Sequence, residues 1–206
     1  MVGRLRCAHN DRCRGVAGNR AEVDGQPDEH VWYDFPTVAA VAGKVADALE
    51  ANDPAHAASY QRNLESFVEA LAGLEKLGRL GWRKSHAGVG VAITEPVPLY
   101  LLQACGAGEP HATAVQRGGR GGARTSRPAS CNRRWRSSPR IKSRALVHNE
   151  QTVDVATTQV SHAAKAAGIP VVGMTETLPR GQSYLSWMSA NVTALEKRAG
   201  PVRRRD

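Results

Sequence analysis

A long apolar stripe in the first half of the chain constrains the fold more than any other feature. Asp53 and Pro54 are typical of an N-cap followed by proline in the first helical turn. Apolar side chains then recur at helical spacing, at Tyr60, Leu64, Phe67, Val68, Leu71, Leu74 and Leu77. The pattern predicts a helix of about 24 residues, roughly 36 Å long, that ends near Leu77 because Gly78 and Gly81 follow. Such a helix crosses a whole small domain.

A shorter helix is predicted just before it, over 36–51. Pro36 takes a first-turn position, and Asp34, two residues earlier, is a good N-cap candidate. Apolar residues at helical spacing follow at Val38, Val41, Val45 and Leu49. This helix therefore presents one apolar face.

Strands and helices alternate in the second half of the chain. Short β-rich runs are predicted as strands at 88–94, 145–149 and 169–174. Helical patterns are predicted at 96–105, 153–168 and 182–199, the second ending at Gly168. This alternation indicates an α/β unit with a parallel sheet.

The net charge of +9 suggests an acidic partner such as nucleic acid, but the charge is unevenly distributed. Ten Lys/Arg and no Asp/Glu lie between His111 and Asn149, and the remaining 18 Lys/Arg are balanced by 19 Asp/Glu. The stretch 107–144 has no apolar period and predicts a disordered basic loop. An alternative function is therefore nucleic-acid binding by the arginines of 117–144, with Trp135 available for stacking.

Several classes of protein are excluded or unsupported by the sequence. No run of about 18 apolar residues exists to span a membrane, and the start of the chain lacks the apolar core of a signal peptide. The four cysteines have neither zinc-knuckle spacing nor a C-x-x-C motif. No Ser-His-Asp or Cys-His arrangement appears in the context that a nucleophile needs, so we do not expect an enzyme.

The candidate functional residues are one histidine and two glutamates. In open parallel sheets, ligands bind beyond the carboxyl ends of the strands, where Glu95 follows "GVAIT" and Glu176 follows "VVGMT". His30 lies in the aromatic stretch "EHVWYDFP". One imidazole and two carboxylates suit zinc or manganese. The alternatives are that His30 is a packed or capping residue and that the glutamates complement helix dipoles.

The other polar candidates receive structural interpretations. Glu150 follows the strand "ALVHN" but is interpreted as a residue of a helical first turn. The remaining histidines are predicted on solvent faces or in loops, namely His56, His86, His111, His148 and His162.

Three stretches of the chain resemble the solute-binding proteins of bacterial ABC importers for zinc and manganese. They are "EHVWYDFPTVAAVAGKVADAL", "VAITEPVPLYLL" and "HNEQTVDVATTQVSHAAKAAGIPVVGMTETLP", and the resemblance covers 21–106 and 145–197. It implies a fold of two small α/β lobes joined by a long rigid helix, with metal in the cleft between them. It also implies that His30, Glu95 and Glu176 are metal ligands, and that a membrane permease is the partner. The location it implies is extracytoplasmic, in the periplasm or anchored to the cell envelope.

The resemblance implies a division of the chain. We expect the α/β remnant of a two-lobe protein, with a long linking helix and a small parallel-sheet C-terminal lobe. The segments are a disordered basic arm (1–20), a remnant of the N-terminal lobe (21–52), the linking helix (53–78), the C-terminal α/β lobe (79–199) and a tail (200–206). Most of the first lobe, including one histidine ligand, has no counterpart here. We therefore expect a truncated protein whose apolar face on 36–51 promotes association.

The basic segment has a further interpretation at the level of the gene. Read one base later, the codons of 108–122 permit an acidic stretch that begins Glu-Asn-Leu-Thr. Read two bases later, the codons of 124–138 permit an apolar helical stretch. Both resemble the family's sequence at this place, so 107–144 is interpreted as a frameshifted segment, with a genuine disordered insert as the alternative.

Overall fold

The computed structural model describes residues 22–23, 26–86, 90–112 and 145–198. The predicted arm 1–20, most of the basic segment and the tail 200–206 lie outside the described residues. Two short strands, β1 (Glu22–Val23) and β2 (Gln26–Pro27), pair antiparallel. A 3-10 turn at Val31–Tyr33 then leads into the first helix.

The first long helix confirms the prediction at its N-terminus. Helix α1 (Phe35–Asn52) begins as the proline pattern predicts, and the Asp34 carboxylate accepts from the backbone N–H of Thr37 at 3.2 Å. A 3-10 turn at Pro54–His56 then precedes helix α2 (Ala57–His86).

The remaining elements form the α/β part of the molecule. The strands are β3 (Gly90–Ile93), β4 (Gly108–Ala112), β5 (Leu146–Asn149) and β6 (Val171–Met174). The helices are α3 (Leu99–Cys105), α4 (Val155–Ala166) and α5 (Tyr184–Arg198). The strands pair in the order β4-β3-β5-β6, and every pairing is parallel. The predicted α/β fold with a parallel sheet is therefore confirmed.

Side chains alternate between the two faces of this sheet, which is covered on both sides. Val91 and Ile93 face the larger core, built with α2, α3 and α5, whereas Ala92 faces a smaller core. In the smaller core Ala92 and Leu146 pack against α4 through Val160 and Ala164. The long helix α2 is therefore one wall of the larger core.

The predicted end of the long helix at Leu77 is wrong, because α2 continues to His86. Gly78 and Gly81 lie inside the helix, facing α3 and α5. A Cβ atom at Gly78 would lie 2.6 Å from Cys105 Sγ, and one at Gly81 would overlap the Glu196 carboxylate. These glycines therefore allow close helix packing.

Asp53 is correctly placed between the two helices, but its predicted role as an N-cap is wrong. Its side chain makes no capping bond to the backbone. The carboxylate instead contacts His56 Nδ1 at 2.7 Å and accepts from the Tyr60 hydroxyl at 2.9 Å. These bonds join the 3-10 turn to the first turn of α2.

Strand β4 corrects the interpretation of 107–144 as a loop throughout. The strand lies at the start of that stretch and pairs with β3. Among the described strands it lies at the edge of the sheet, a position where a proline such as Pro110 is tolerated because an edge strand needs ladder bonds on one side only. The glycine and proline nearby are typical of turns, which explains why the pattern did not predict a strand.

The outward face of α1 carries the expected apolar stripe. Val41, Val45 and Leu49 are 57%, 53% and 43% exposed. Val38, at the start of the same stripe, packs against the larger core. Among the described helices, none combines the length and the apolar character needed to cross a bilayer.

Candidate metal centre

Three neighbouring strands end in polar side chains that meet at one edge of the sheet. Glu95 follows β3 by two residues, Asn149 ends β5 and Glu176 follows β6 by two residues. The parallel arrangement places these carboxyl ends side by side, as predicted for the two glutamates.

The Asn149 side chain connects the two glutamates. Its Nδ2 donates to Glu95 Oε2 at 2.5 Å and lies 3.2 Å from Glu176 Oε2. A third acceptor, Thr152 Oγ1, is 3.1 Å away. The two carboxylates therefore converge on one amide nitrogen.

His30 is held by a carboxylate two residues before it in sequence. Its Nδ1 is 2.6 Å from Asp28 Oδ1, and both residues are buried. The backbone N–H of His30 also donates to Asp28 Oδ1, at 3.2 Å. The ring meets Trp32 edge-to-face, with centroids 5.3 Å apart. Since Nδ1 is engaged by Asp28, the Nε2 atom is the one left for a ligand.

Three tyrosine hydroxyls join the His30 segment to the α/β unit. Tyr33 donates to the carbonyl of Thr175, the residue before Glu176, at 2.6 Å. Tyr100 donates to the carbonyl of Asp28 at 3.0 Å. Tyr184 donates to the carbonyl of Trp32 at 2.8 Å. The polypeptide on both sides of His30 is thus fixed near the strand ends.

The electrostatics of the site favour a charged imidazole. Burial lowers the pKa of His30, but the hydrogen bond that its ring donates to Asp28 and the negative charges of Asp28, Glu176 and Glu29 outweigh this effect, so the pKa is raised above 6.5. A divalent cation would compete with this proton, because a metal-bound imidazole must be neutral.

The structure brings Glu95 and Glu176 together and places His30 within electrostatic reach of Glu176. Across 22–23, 26–86, 90–112 and 145–198, however, no group of three or more His, Cys, Asp or Glu side chains is arranged to hold a metal ion. The Asn149 amide lies between the two glutamates instead. The three residues accordingly remain predicted ligands.

Sequence reasoning missed Asp28 and Asn149. Asp28 carried a usable signal, since a carboxylate two residues before a candidate ligand histidine can orient its ring. Asn149 carried none, because an asparagine at a strand end is also an ordinary turn residue.

Two structural interpretations of the neighbouring residues are wrong. Glu150 is not in a helical first turn: α4 is capped by Asp154, and the exposed Glu150 side chain lies over Gly173. His148 is neither in a loop nor on a solvent face. It lies in β5, and its Nδ1 is buried without a hydrogen-bond partner.

Comparison with known families gives a match over nearly the whole chain. The family model of the zinc-uptake complex component A, periplasmic (ZnuA), matches residues 7–198. The metal ABC transporter substrate-binding lipoprotein ScbA of Streptococcus cristatus is 35% identical over 52 residues, which are 25% of this chain and 17% of that protein.

Solved structures share the fold at low identity. Zn(II)-bound AdcAII of Streptococcus pneumoniae, in a variant form, superposes with a TM-score of 0.65 and 18% identity. The match covers 88% of this chain and 67% of that one. A periplasmic metal-binding protein from Candidatus Liberibacter asiaticus has a TM-score of 0.65 at 16% identity, with 89% and 69% coverage. None of these relatives supports the nucleic-acid alternative, and 117–144 lies outside the described residues.

Proposed function

The chain belongs to the ZnuA family of periplasmic zinc-uptake components, and on that premise we propose that it captures zinc or manganese as the solute-binding subunit of an ABC importer. The metal is the transported cargo. The subunit would work outside the cytoplasm, in the periplasm or at the cell envelope, and deliver the ion to a membrane permease. The name of the S. cristatus relative supports this transport role.

We propose His30, Glu95 and Glu176 as the metal ligands. The observation that carries this assignment is the convergence of Glu95 and Glu176 on one point at the sheet edge, with the Asp28-oriented His30 segment fastened beside it. An oriented imidazole with two carboxylates is a donor set that zinc accepts.

The site binds and releases an ion and need make no covalent bond, so we propose a transport role without catalysis. Zinc and manganese differ in their preferred surroundings. Imidazole favours zinc, whereas a carboxylate-rich shell also suits manganese. With one nitrogen and two carboxylates, both ions belong in the test.

Isothermal titration calorimetry with Zn²⁺ and Mn²⁺ tests the site. The His30→Ala and Glu176→Ala variants should each abolish binding, and Glu95→Ala should weaken it. His56→Ala is a matched control, because His56 is also paired with an aspartate but both side chains are exposed. Undiminished binding in both His30→Ala and Glu176→Ala would overturn the ligand assignment.

A further inference from the structure

The Asn149 amide occupies the point on which the two carboxylates converge. Two carboxylates aimed at one point repel each other unless positive charge or hydrogen-bond donors separate them. The Nδ2 group supplies such donors, at 2.5 Å from Glu95 Oε2 and 3.2 Å from Glu176 Oε2. The amide therefore reduces the repulsion between the two carboxylates, as a bound cation would, without carrying a net charge.

The orientation of this amide is fixed by the surrounding backbone. Asn149 Oδ1 accepts from the backbone N–H of Gln151 at 3.0 Å, which leaves the nitrogen to face the glutamates. The Asn149 backbone N–H donates to Thr94 Oγ1 at 3.3 Å, and the residue is 4% exposed. The amide is thus a rigid part of the strand end.

We propose that Asn149 is a positioning residue that holds Glu95 and Glu176 together in the metal-free protein and gives up at least one of these bonds when metal binds. This proposal rests on the proposed function. A carboxylate oxygen that coordinates a cation has less electron density to offer a donor, and the cation needs the space between the carboxylates. The amide thus holds the two carboxylates together before metal binds, and it loses at least one of its hydrogen bonds to them when the ion binds.

Nuclear magnetic resonance of the wild-type protein tests the proposal directly. In a sample with ¹⁵N-labelled asparagine, the Asn149 side-chain N–H₂ signals are assigned by their absence in Asn149→Asp. Zn²⁺ is diamagnetic and is titrated in. The Asn149 signals should shift and saturate at one equivalent. Asn52, whose exposed amide donates to the carbonyl of Ala48 at the end of α1, is the internal control and should not shift.

Calorimetry on the same sample separates the possible failures. If Zn²⁺ binds while the Asn149 signals stay fixed, the positioning role is overturned and the metal-binding function stands. If Zn²⁺ does not bind, both are overturned. If the Asn52 signals shift as far as those of Asn149, the change is general and the specific displacement of Asn149 is overturned.

Two variants separate positioning from a role in the local turn. Asn149→Ser keeps an oxygen that can accept from the Gln151 N–H but is too short to reach the two glutamates, so a turn-only role predicts near wild-type metal-free melting and Zn²⁺ affinity. Positioning predicts a lower metal-free melting temperature that Zn²⁺ restores. Asn149→Ala removes bonds that the metal-free protein makes and the metal-bound protein gives up in part, so by linkage it should tighten Zn²⁺ binding about tenfold. Asn52→Ala is the control: it removes an exposed amide bonded to the Ala48 carbonyl and should leave the Zn²⁺ affinity unchanged. A wild-type Zn²⁺ affinity in Asn149→Ala would contradict the proposal.

Discussion

Asp28 Oδ1 lies 2.6 Å from His30 Nδ1, and both side chains are almost completely buried. The pair is separated by a single residue, so the local backbone holds the carboxylate against the ring. The second oxygen, Asp28 Oδ2, is buried with no hydrogen-bond partner. The Asp28 carboxylate therefore serves to hold His30 in place.

The first prediction concerns this pair. Asp28→Asn keeps the shape of the side chain but removes its charge. It should weaken Zn²⁺ binding by about 10- to 100-fold, because loss of the group that hydrogen-bonds a ligand histidine typically has an effect of this size. Competition with a chromophoric chelator measures the affinity. Asp53→Asn is the control, because it alters the exposed pairing with His56. Equal affinities for Asp28→Asn and the wild type would show that Asp28 does not act on the metal.

The second prediction is a pH dependence. Because the folded pKa of His30 is raised above 6.5, protonated His30 stabilises the metal-free fold below about pH 6.5, and this stabilisation is lost as pH rises through the folded pKa. Zn²⁺ affinity should change in the opposite direction, rising about tenfold per pH unit until pH exceeds that pKa. Titrations across this window measure it. A midpoint at or below 6.5 would contradict the raised pKa, and His30→Ala should lose this slope.

The third prediction compares two glycines of α2. Gly78→Ala should destabilise the fold by about 1–3 kcal/mol, because its Cβ would lie 2.6 Å from Cys105 Sγ. Gly73 has nothing within 4 Å, so Gly73→Ala should stabilise by about 0.5–1 kcal/mol through helix propensity. Urea denaturation gives both values. Adding Cys105→Ala to Gly78→Ala should recover part of the lost stability. If Gly78→Ala and Gly73→Ala both stabilise the protein, α2 and α3 are not in close contact.

The fourth prediction concerns the exposed stripe on α1. Val41, Val45 and Leu49 form an apolar face that should drive association of the purified protein at high concentration. Val45→Glu should shift the population toward monomer in size-exclusion chromatography with light scattering. Ala40→Ser, on the opposite side of α1, is the control. A wild-type protein that stays monomeric at every concentration would refute the prediction.

The fifth prediction is read from the gene. If 107–144 is frameshifted, the nucleotide sequence should encode an acidic amphipathic segment one base out of frame in its first half. It should also encode an apolar helical segment two bases out of frame in its second half. Sequencing the DNA decides this. Alternative frames that encode neither would leave a genuine basic insert as the explanation.

The sequence alone determined most of the local elements and the two acidic candidates. Apolar side chains at helical spacing predicted α1 and the start of α2, and the β-rich runs predicted β3, β5 and β6. These signals are local, because a helix or a strand places its apolar residues by its own period. The same logic placed Glu95 and Glu176 at one edge of the sheet, since parallel strands end together.

Only the tertiary structure decided what lies opposite each residue. Gly78 looked like the end of a helix until Cys105 of α3 was found against it. Asn149 carried no signal in the sequence, and only the fold brings Glu95, 54 positions earlier in the chain, to its amide. A glycine or an asparagine has the same local preferences in either setting. Its role depends on contacts between residues far apart in sequence, which no local period encodes.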